Sequence, residues 1–324
     1  MLLTQLRHDV DHMPTVLAAY DGFRGLPSQL LVVRDAAGTL AIPLRFQPGP
    51  GGSVHAVSSE VRSSPIFSDG TTPEWRRQAI GELLDFLQLR GVVTLFLRLH
   101  PRLDSAGTDF ARFGAIVDHG PTFDIPLGRP LAEIRGDMRT NHRRDIRKFH
   151  TQGFTCEPDT EWRHLAEFHR LYSFTMERVG ASDDYRFSLE FFEQLRDALG
   201  EHLTLWATVV DGQLAMAHLV SECGGIAELL YVGVHSDFQR QVPQIGLYDR
   251  ELEWAQESLR HFKAGITKVQ PPASSARIVV DPVEYGRLCA LWEREHERVV
   301  GRTDGFFPPY LQPVAAMANE AAHA

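Results

Sequence analysis

The chain has 324 residues, of which 43% are hydrophobic and 23% charged, so neither a disordered protein nor a collagen-like fibre is expected. At about 150 residues per domain, this length predicts two domains. The net charge of −9 disfavours a protein that coats nucleic acid non-specifically, but a local basic patch could still bind one phosphate-bearing ligand.

From the sequence we expect neither a membrane-spanning helix nor a signal peptide. No run of residues is long and apolar enough to suggest a membrane helix. Arg7, His8 and Asp9 stand where a signal peptide would need its apolar core. The three cysteines are far apart, which excludes a disulfide framework and a C-x-x-C zinc site. We expect a cytoplasmic protein without integral membrane contact and without a metal or redox cofactor.

The first 200 residues alternate strand and helix signals. Turn residues interrupt apolar runs, and Thr72, Pro73 and Glu74 are typical of a helix start that Gly91 ends. Gly153 stands where a C-terminal helix cap is expected. In chain order the predicted elements are a hairpin over 29–33 and 40–46, a helix over 72–90, strands over 92–100 and 122–127, and helices over 130–152, 160–178 and 188–199.

The helix over 130–152 is strongly basic. Its apolar face comprises Leu131, Ile134, Met138, Ile146 and Phe149. The remaining surface carries Arg135, Arg139, Arg143, Arg144, Arg147 and Lys148. This pattern suggests contact with tRNA or a nucleotide. A solvated helix face is the alternative, because Asp137 and Asp145 are interleaved with the cations.

Three strands in succession give the clearest pattern. They cover 204–210, 213–220 and 226–234, and the Asp211–Gly212 pair is a strong hairpin signal. Connections this short permit only antiparallel neighbours. A helix over 243–259 follows directly. The last elements are a strand over 277–282 and a helix over 283–299.

Several segments together resemble the FemABX family, whose members have paired GNAT-type domains and move an amino acid from aminoacyl-tRNA to an amine. The resemblance covers roughly residues 10–300. The segments are LRLHP (97–101), MRTNHRRDIRKF (138–149), FHRLYSFTMERVGASDDYRFSLEFFEQL (168–195), VPQIGLYDRELEWA (242–255) and SLRHFKAGI (258–266).

The resemblance implies an α+β fold, with tandem GNAT-like domains whose mostly antiparallel sheets are flanked by helices. The first domain would comprise 1–120 plus 277–312, the second 121–276, and 313–324 would be a flexible tail. The implied donor is aminoacyl-tRNA. The implied acceptor is the amine of a peptidoglycan precursor or another peptide-like molecule.

The sequence also departs from the family. Members carry a glycine-rich strand between their Trp-Ala and Phe-Lys elements, but only six residues separate Ala255 from Phe262 here. That strand is therefore expected to be absent. The tyrosine- and glycine-rich loop of the first domain is also not evident in 57–70.

The resemblance nominates two catalytic residues and one neighbour. Lys263 would supply the cation that stabilises the developing oxyanion, next to Phe262 as a substrate contact. Tyr231 would orient the acceptor amine or shuttle a proton. The alternatives are an exposed lysine near a turn and a half-buried strand tyrosine.

Substrate phosphates have two further candidate contacts. Arg178 and Tyr185 lie in the most family-like stretch, although Arg178 has nearby carboxylates as alternative partners. These carboxylates are Glu177, Asp183 and Asp184. The second contact is a tRNA-binding strip formed by successive i+4 neighbours, which are Arg139, Arg143 and Arg147.

Other reactive side chains give weaker signals. His100 precedes Pro101 at a strand end and is interpreted as structural. His8 and His12 have i,i+4 spacing but no third metal ligand. Cys223 has no recognisable histidine or aspartate partner and is interpreted as a strand-end residue.

Two rival functions remain open from the sequence. An acyl-CoA-dependent N-acyltransferase would need a glycine-rich turn before the helix over 243–259 to cradle the pyrophosphate. That turn, HSDFQRQVPQIG (235–246), has one glycine, and Pro243 removes one N–H donor. The other rival is a non-catalytic binding module, which the missing glycine-rich strand favours.

Overall fold

A computed structural model describes residues 3–60, 63–103, 106–121, 125, 127–239, 241–242, 244–258, 272–296 and 305–312. The chain divides into two compact units. Unit 1 comprises Met1–Thr122 and Pro271–Ala324, and unit 2 comprises Phe123–Gln270. The predicted tail over 313–324 lies outside the described residues.

Unit 1 combines two parts of the chain that are distant in sequence. Its N-terminal elements are α1 (Pro14–Arg24), β1 (Ser28–Arg34), β2 (Thr39–Pro48), β3 (Val54–Ser58), β4 (Ile66–Phe67), α2 (Pro73–Leu89), β5 (Val92–Leu99), α3 (Ala106–Phe110) and β6 (Ala115–Pro121). Its C-terminal elements, numbered after those of unit 2, are β11 (Pro272–Val279) and α9 (Pro282–His296).

The strands of unit 1 form one sheet in the order β1-β2-β3-β5-β11-β6, and β4 pairs with β2. The predicted hairpin of β1 and β2 is confirmed. Among the described strands of this sheet, β3 and β5 form the parallel pair, and the remaining pairs are antiparallel. Helix α2 begins where predicted, with the Thr72 hydroxyl accepting a hydrogen bond from the Trp75 N–H. Its buried leucines pack on the sheet.

Unit 2 contains an antiparallel sheet in the order β10-β9-β8-β7. The predicted three-strand meander is confirmed, and Asp211 and Gly212 adopt the positive φ values of 51° and 79° that its tight turn requires. In chain order the elements are α4 (Leu131–Asp137), α5 (Thr140–Thr151), β7 (Glu157–Pro158), α6 (Leu165–Arg178), α7 (Leu189–Leu199), β8 (Leu203–Val210), β9 (Gln213–Cys223), β10 (Ile226–Val234) and α8 (Ile245–Ser258).

Helices cover both faces of the sheet in unit 2. On one face, a Cβ at Gly233 of β10 would lie only 3.0 Å from Leu171 of α6. On the other face, Phe149 of α5 and Leu247 of α8 share a buried apolar cluster with strand residues such as Met216. The two faces are therefore distinct environments for side chains that alternate along β9 and β10.

The expectation of a single helix over 130–152 is wrong. The chain breaks at Met138, whose ψ of 151° is extended, and resumes as α5 at Thr140. Arg143 donates hydrogen bonds to the carbonyls of Gly136 and Met138, the latter at 2.8 Å. This side chain satisfies acceptors that a continuous helix would have paired internally. Gly153, with φ of 75°, ends α5 as predicted.

Most of the strand predicted over 122–127 lies outside the described residues. Within that range, Ile125 and Leu127 are described, and neither lies in a strand. The strand β6 precedes it and pairs with β11. Its sequence, AIVDHGP, contains polar and turn-forming residues that hide the strand from pattern analysis.

Candidate functional site

Tyr231 lies at an irregularity in β10. Leu229 pairs with Val220 of β9 and Tyr231 pairs with Leu219, so Leu230 is one extra residue in the strand. Without it, side chains 229 and 231 would share one face. With it, Leu229 joins the α8 side while Tyr231 points toward α6. The irregularity therefore aims this tyrosine at the α6 side.

Aromatic rings from α6, α7 and the segment between them surround Tyr231. Tyr172 lies 5.6 Å from it, Phe187 5.5 Å and Phe192 5.2 Å between ring centroids, all in edge-on geometry. The ring of Tyr231 is half-buried. Packing fixes its orientation, which is the first requirement for a hydroxyl that must orient a substrate.

Tyr185 connects to this cluster through its main chain. The Tyr172 hydroxyl donates to the Tyr185 carbonyl, and burial, followed by the neighbouring Tyr185, raises the pKa of Tyr172. The side chain of Tyr185 itself is exposed. The structure thus brings Tyr231 and Tyr185 to one region of unit 2 through a third tyrosine that the sequence did not single out.

Arg178 lies at the C-terminal end of α6 and is exposed. Its guanidinium donates to Gln239 at 3.1 Å, in the turn that follows β10. Among the described residues it does not pair with Glu177, Asp183 or Asp184, the partners considered from the sequence. Its bond to a neutral amide leaves the positive charge uncompensated there.

The basic strip predicted on one helix is divided by the break before α5. Arg139 is the N-cap residue of α5, and Arg143 is engaged by the carbonyls of α4. Arg139 and Arg147 are exposed and have no ion-pair partner within the described part of the chain. Arg139 and Arg147 are therefore available to bind a ligand, whereas Arg143 is hydrogen-bonded to the C-terminal end of α4.

Arg135 does not add a free charge to the basic surface, because carboxylates pair with it. It donates to Asp249 at 2.7 Å and to Glu253 at 2.6 Å, both on α8. The bond to Asp249 is the main reason that the pKa of Arg135 is raised, and His150 also contacts Asp249. This cluster fixes α4 and α5 against α8.

A buried polar pair lies on the other face of the sheet, and the sequence analysis missed it. His218 of β9 is fully buried, and its Nδ1 lies 2.6 Å from Oε1 of Glu251 on α8. Gln244 and Tyr248, on the same side of that helix, flank the imidazole. The available signal was a histidine within the otherwise apolar run QLAMAHLV.

The glycine at the start of α8 has a packing role. A Cβ at Gly246 would lie 2.2 Å from the ring of Phe149. The position therefore needs glycine for the contact between α8 and α5, whatever ligand unit 2 binds. The described part of 235–246 holds no second glycine that could form a phosphate cradle.

Cysteine chemistry is not supported at Cys156, one of the two described buried thiols of unit 2. Burial raises the pKa of Cys156 far above its usual range, so the thiol stays protonated and is a poor nucleophile. Cys223 lines a cavity of about 280 Å³ together with Glu201, His202, Glu222 and Gly224. None of the nominated site residues that the structure describes lines this cavity.

Unit 1 holds the histidines that the sequence analysis considered. His100 accepts the N–H groups of Arg102 and Leu103 at Nδ1, so its Nε2–H donates to Asp9. His12 likewise accepts from the Asp9 N–H and donates to the Ser64 carbonyl at 2.8 Å. Both rings are buried and both nitrogens of each ring have hydrogen-bond partners, which fits a structural role.

Two nominated residues lie outside the described residues. These are Lys263 and Phe262. Of the segment in which the family places its glycine-rich strand, residues 256–258 belong to α8 and 259–261 lie outside the described residues. The helices of the described residues include none that is long and apolar enough to cross a bilayer.

Known proteins share sequence and structural similarity with this chain. Residues 136–270 match the family described as an acetyltransferase (GNAT) domain. The chain is similar to the crystal structure of FemX, with a TM-score of 0.62 and 14% identity, over 86% of this chain and 96% of that chain. The sequence matches no curated protein at a significant level.

Two further crystal structures agree. A conserved protein of unknown function from Bacteroides thetaiotaomicron gives a TM-score of 0.55 at 13% identity, over 84% of this chain and 92% of that one. A C-terminal domain assigned to a lysylphosphatidylglycerol synthetase from Agrobacterium fabrum gives 0.52 at 10%, over 79% and 84%. The resemblance drawn from the sequence is confirmed at the level of the fold, which is α+β with tandem GNAT-like domains.

Proposed function

We propose that this chain, in which residues 136–270 form a GNAT domain within a FemX-like fold, moves an aminoacyl group from aminoacyl-tRNA to an amine. The acceptor would be a peptidoglycan precursor or another peptide-like molecule. One observation carries the choice of donor. Gly246 at the start of α8 packs against Phe149, while Arg139 and Arg147 are exposed cations with no ion-pair partner among the described residues.

The chemistry asks little covalent help from the protein. An aminoacyl ester is already activated, so the enzyme must hold a neutral amine against the carbonyl carbon and stabilise the oxyanion that forms. We assign the second task to Lys263, with Phe262 as its neighbouring substrate contact. No cofactor is needed for this reaction.

Tyr231 is the proposed contact to the acceptor. Its ring is fixed by the aromatic cluster, and it lies on β10, whose residues from Ala227 to Val232 are all partly exposed. A hydroxyl held this way can accept from the amine and pass a proton through water. Tyr185 and Arg178, on the same side of unit 2, would hold the phosphate of the substrate.

The choice of donor rests on the backbone N–H groups that the turn before α8 can present to a phosphate. A CoA pyrophosphate is usually bound by successive backbone N–H groups that only glycine-rich turns can present closely. The described part of 235–246 does not offer such a turn. A tRNA backbone needs separate cations on a surface, and the exposed arginines of α5 meet that requirement. A charged-tRNA donor would place the reaction in the cytoplasm.

Acyl-CoA-dependent N-acyl transfer is the second candidate, because the matched family is described by acetyl transfer. A binding module without turnover is the third. The test supplies the chain with a charged tRNA pool and candidate amines, with and without RNase, and separately with acyl-CoA. We expect transfer that RNase abolishes and acyl-CoA does not restore. Activity that survives RNase and follows acyl-CoA would contradict the proposal. Calorimetric binding without turnover would identify a binding module.

A further inference from the structure

The outer face of α2 carries exposed apolar side chains at its C-terminal end. The inner face packs on the sheet of unit 1 through Ile80, Leu83 and Leu87. On the outer face, Phe86 is 41% exposed and Leu89 87%, the highest value among the large apolar side chains that the structure describes. A single exposed apolar residue is common on protein surfaces. Two that are neighbours on one helix face indicate a surface where a partner can bind.

Two charged side chains flank Phe86 at equal distances along the helix. Glu82 lies four residues before it and Arg90 four residues after it, and both are exposed. Side chains at this spacing share one helix face, so the three form a stripe. The Arg90 guanidinium lies 5.7 Å from the centroid of the Phe86 ring, which shows that it continues the stripe beyond the last residue of α2.

Neither charge of the stripe is compensated within the described part of the chain. Glu82 accepts a hydrogen bond from the neutral amide of Gln78 at 3.0 Å. Arg90 contacts the Phe86 ring, and no described carboxylate forms an ion pair with it. A complementary partner would therefore bring a cation to Glu82 and a carboxylate to Arg90.

The stripe meets this requirement by itself. A twofold axis through Phe86, perpendicular to α2, places a second α2 antiparallel to the first. Each residue before Phe86 then faces the residue at the same distance after Phe86 in the other copy. Glu82 faces Arg90 of the second copy, and Arg90 faces its Glu82. The two Phe86 rings meet at the axis between these pairs.

A lipid surface fits the stripe less well than a second copy does. Helices that bind anionic lipids carry an excess of cations beside their apolar side chains. Here the stripe has one charge of each sign, and Asp85 adds a further exposed carboxylate next to Phe86. The net charge of the whole chain is −9. The charges therefore favour self-association.

We propose that two copies of this chain associate through antiparallel α2 helices, with Phe86 and Leu89 as the apolar centre and two Glu82–Arg90 ion pairs beside it. One helix from each copy gives a smaller interface than permanent dimers have. The association is therefore weak, with a dissociation constant of roughly 10–100 µM. None of the residues assigned to the transfer reaction lies on α2, so this surface is independent of the proposed function.

The experiment measures the association of the full chain by sedimentation velocity, from about 1 to about 300 µM protein. The charge variants are Glu82→Arg, Arg90→Glu and the double variant Glu82→Arg/Arg90→Glu. Phe86→Glu tests the apolar centre. The matched control is Val179→Glu, which changes an apolar residue of unit 2 that is 62% exposed. Melting curves check that each variant is folded, and all four positions are exposed.

We expect the wild type to dimerise with increasing concentration, and less so at high salt. Each single charge variant should raise the dissociation constant about tenfold or more, because it places like charges opposite each other. The double variant exchanges the two signs and should return to within about threefold of the wild type. Phe86→Glu should abolish the association over this concentration range, and Val179→Glu should leave it unchanged.

Three results would overturn the proposal. The first is a wild type that stays monomeric up to the highest concentration, which would leave the stripe to a different partner or to none. The second is a wild-type dimer that Phe86→Glu does not weaken, since its interface would lie elsewhere. The third is a double variant that associates as weakly as the single variants, because antiparallel pairing requires the exchanged charges to match.

Discussion

Gly246 at the start of α8 lies directly against the ring of Phe149 in α5. A Cβ at position 246 would be 2.2 Å from Cγ of that ring and 2.8 Å from the Cβ of Phe149. Phe149 is itself fully buried, so it has no open space into which to move. The contact sets how closely these two helices approach.

Gly246→Ala is expected to destabilise the chain by about 1–3 kcal/mol, the usual cost of inserting a group into a packed core. Gly136→Ala in α4 is the control, because no atom lies within 4 Å of a Cβ there. It should leave stability unchanged or raise it by up to about 1 kcal/mol. Urea unfolding measures both. Equal effects would contradict the assignment of Gly246 to packing.

The arginines of α5 should separate into two classes. Arg139→Ala and Arg147→Ala are each expected to reduce the salt dependence of charged-tRNA binding by about 0.7–0.9 in the log–log slope, with little change in stability. Arg143→Ala should instead lower stability by about 1 kcal/mol, because it removes hydrogen bonds to the carbonyls of α4. Salt titrations and melting curves measure the two effects. A slope loss for Arg143 alone would reverse the assignment.

Unit 1 should weaken in mild acid because of His12. Burial lowers its pKa from 6.5 to about 4, so the folded chain stays unprotonated while the unfolded chain takes up a proton. The stabilisation is complete above pH 6.5 and falls as pH drops toward 4, by about 3 kcal/mol in total. Urea unfolding across this range measures it. His12→Gln should flatten the curve, and an unchanged slope would contradict the assignment.

Asp9 extends the same trend to lower pH. Burial alone would raise its pKa, but the hydrogen bond and charge of His100 lower it below the usual value. The sign is that of a paired carboxylate, whose stabilisation is lost as pH falls through the folded-state pKa. The loss from Asp9 should therefore begin below pH 4, after that from His12.

Tyr231→Phe tests the acceptor contact without disturbing the ring packing. The four edge-on contacts, with Tyr172, Phe187, Phe191 and Phe192, use the ring and not the hydroxyl, so the ring packing should be preserved. If the hydroxyl orients the acceptor amine or relays its proton, the transfer rate of the variant should fall by about 10²-fold. Rate measurements at saturating donor check this. A wild-type rate would return Tyr231 to a purely structural role.

Lys263→Met tests the proposed oxyanion contact. Loss of one oxyanion donor typically costs about 10²–10³ in rate, and the fold should remain intact. Lys268→Met, a lysine five residues further along the chain, is the matched control and should transfer normally. Equal effects of the two variants would show that position 263 has no special role.

The sequence was most informative where structure is local. The Asp211–Gly212 turn determines the β8–β9 hairpin through the positive φ that both residues adopt, and Thr72 determines where α2 begins. These features depend on neighbours within a few residues. Pattern analysis therefore predicted the meander and most helix limits, and the family resemblance supplied the α+β fold class.

Pattern analysis failed where the local structure depends on a side chain from another element. The break at Met138 depends on Arg143 folding back onto α4, which helical periodicity alone does not reveal. The pairing of His218 with Glu251 spans 33 residues and joins a strand to a helix. Such contacts exist only after the elements have packed, so the missed features are tertiary ones.

The position of β11 has a consequence for synthesis on the ribosome. This strand lies between β5 and β6 in the sheet of unit 1, yet it is made about 150 residues after them. Until residues 272–279 have emerged, β5 and β6 lack the neighbour that joins them, and both leave backbone groups unpaired. The described strands of the unit 2 sheet have all been synthesised by then. The nascent chain should therefore fold unit 2 first. The sheet of unit 1, whose strands come from both sides of unit 2 in the sequence, should be completed last.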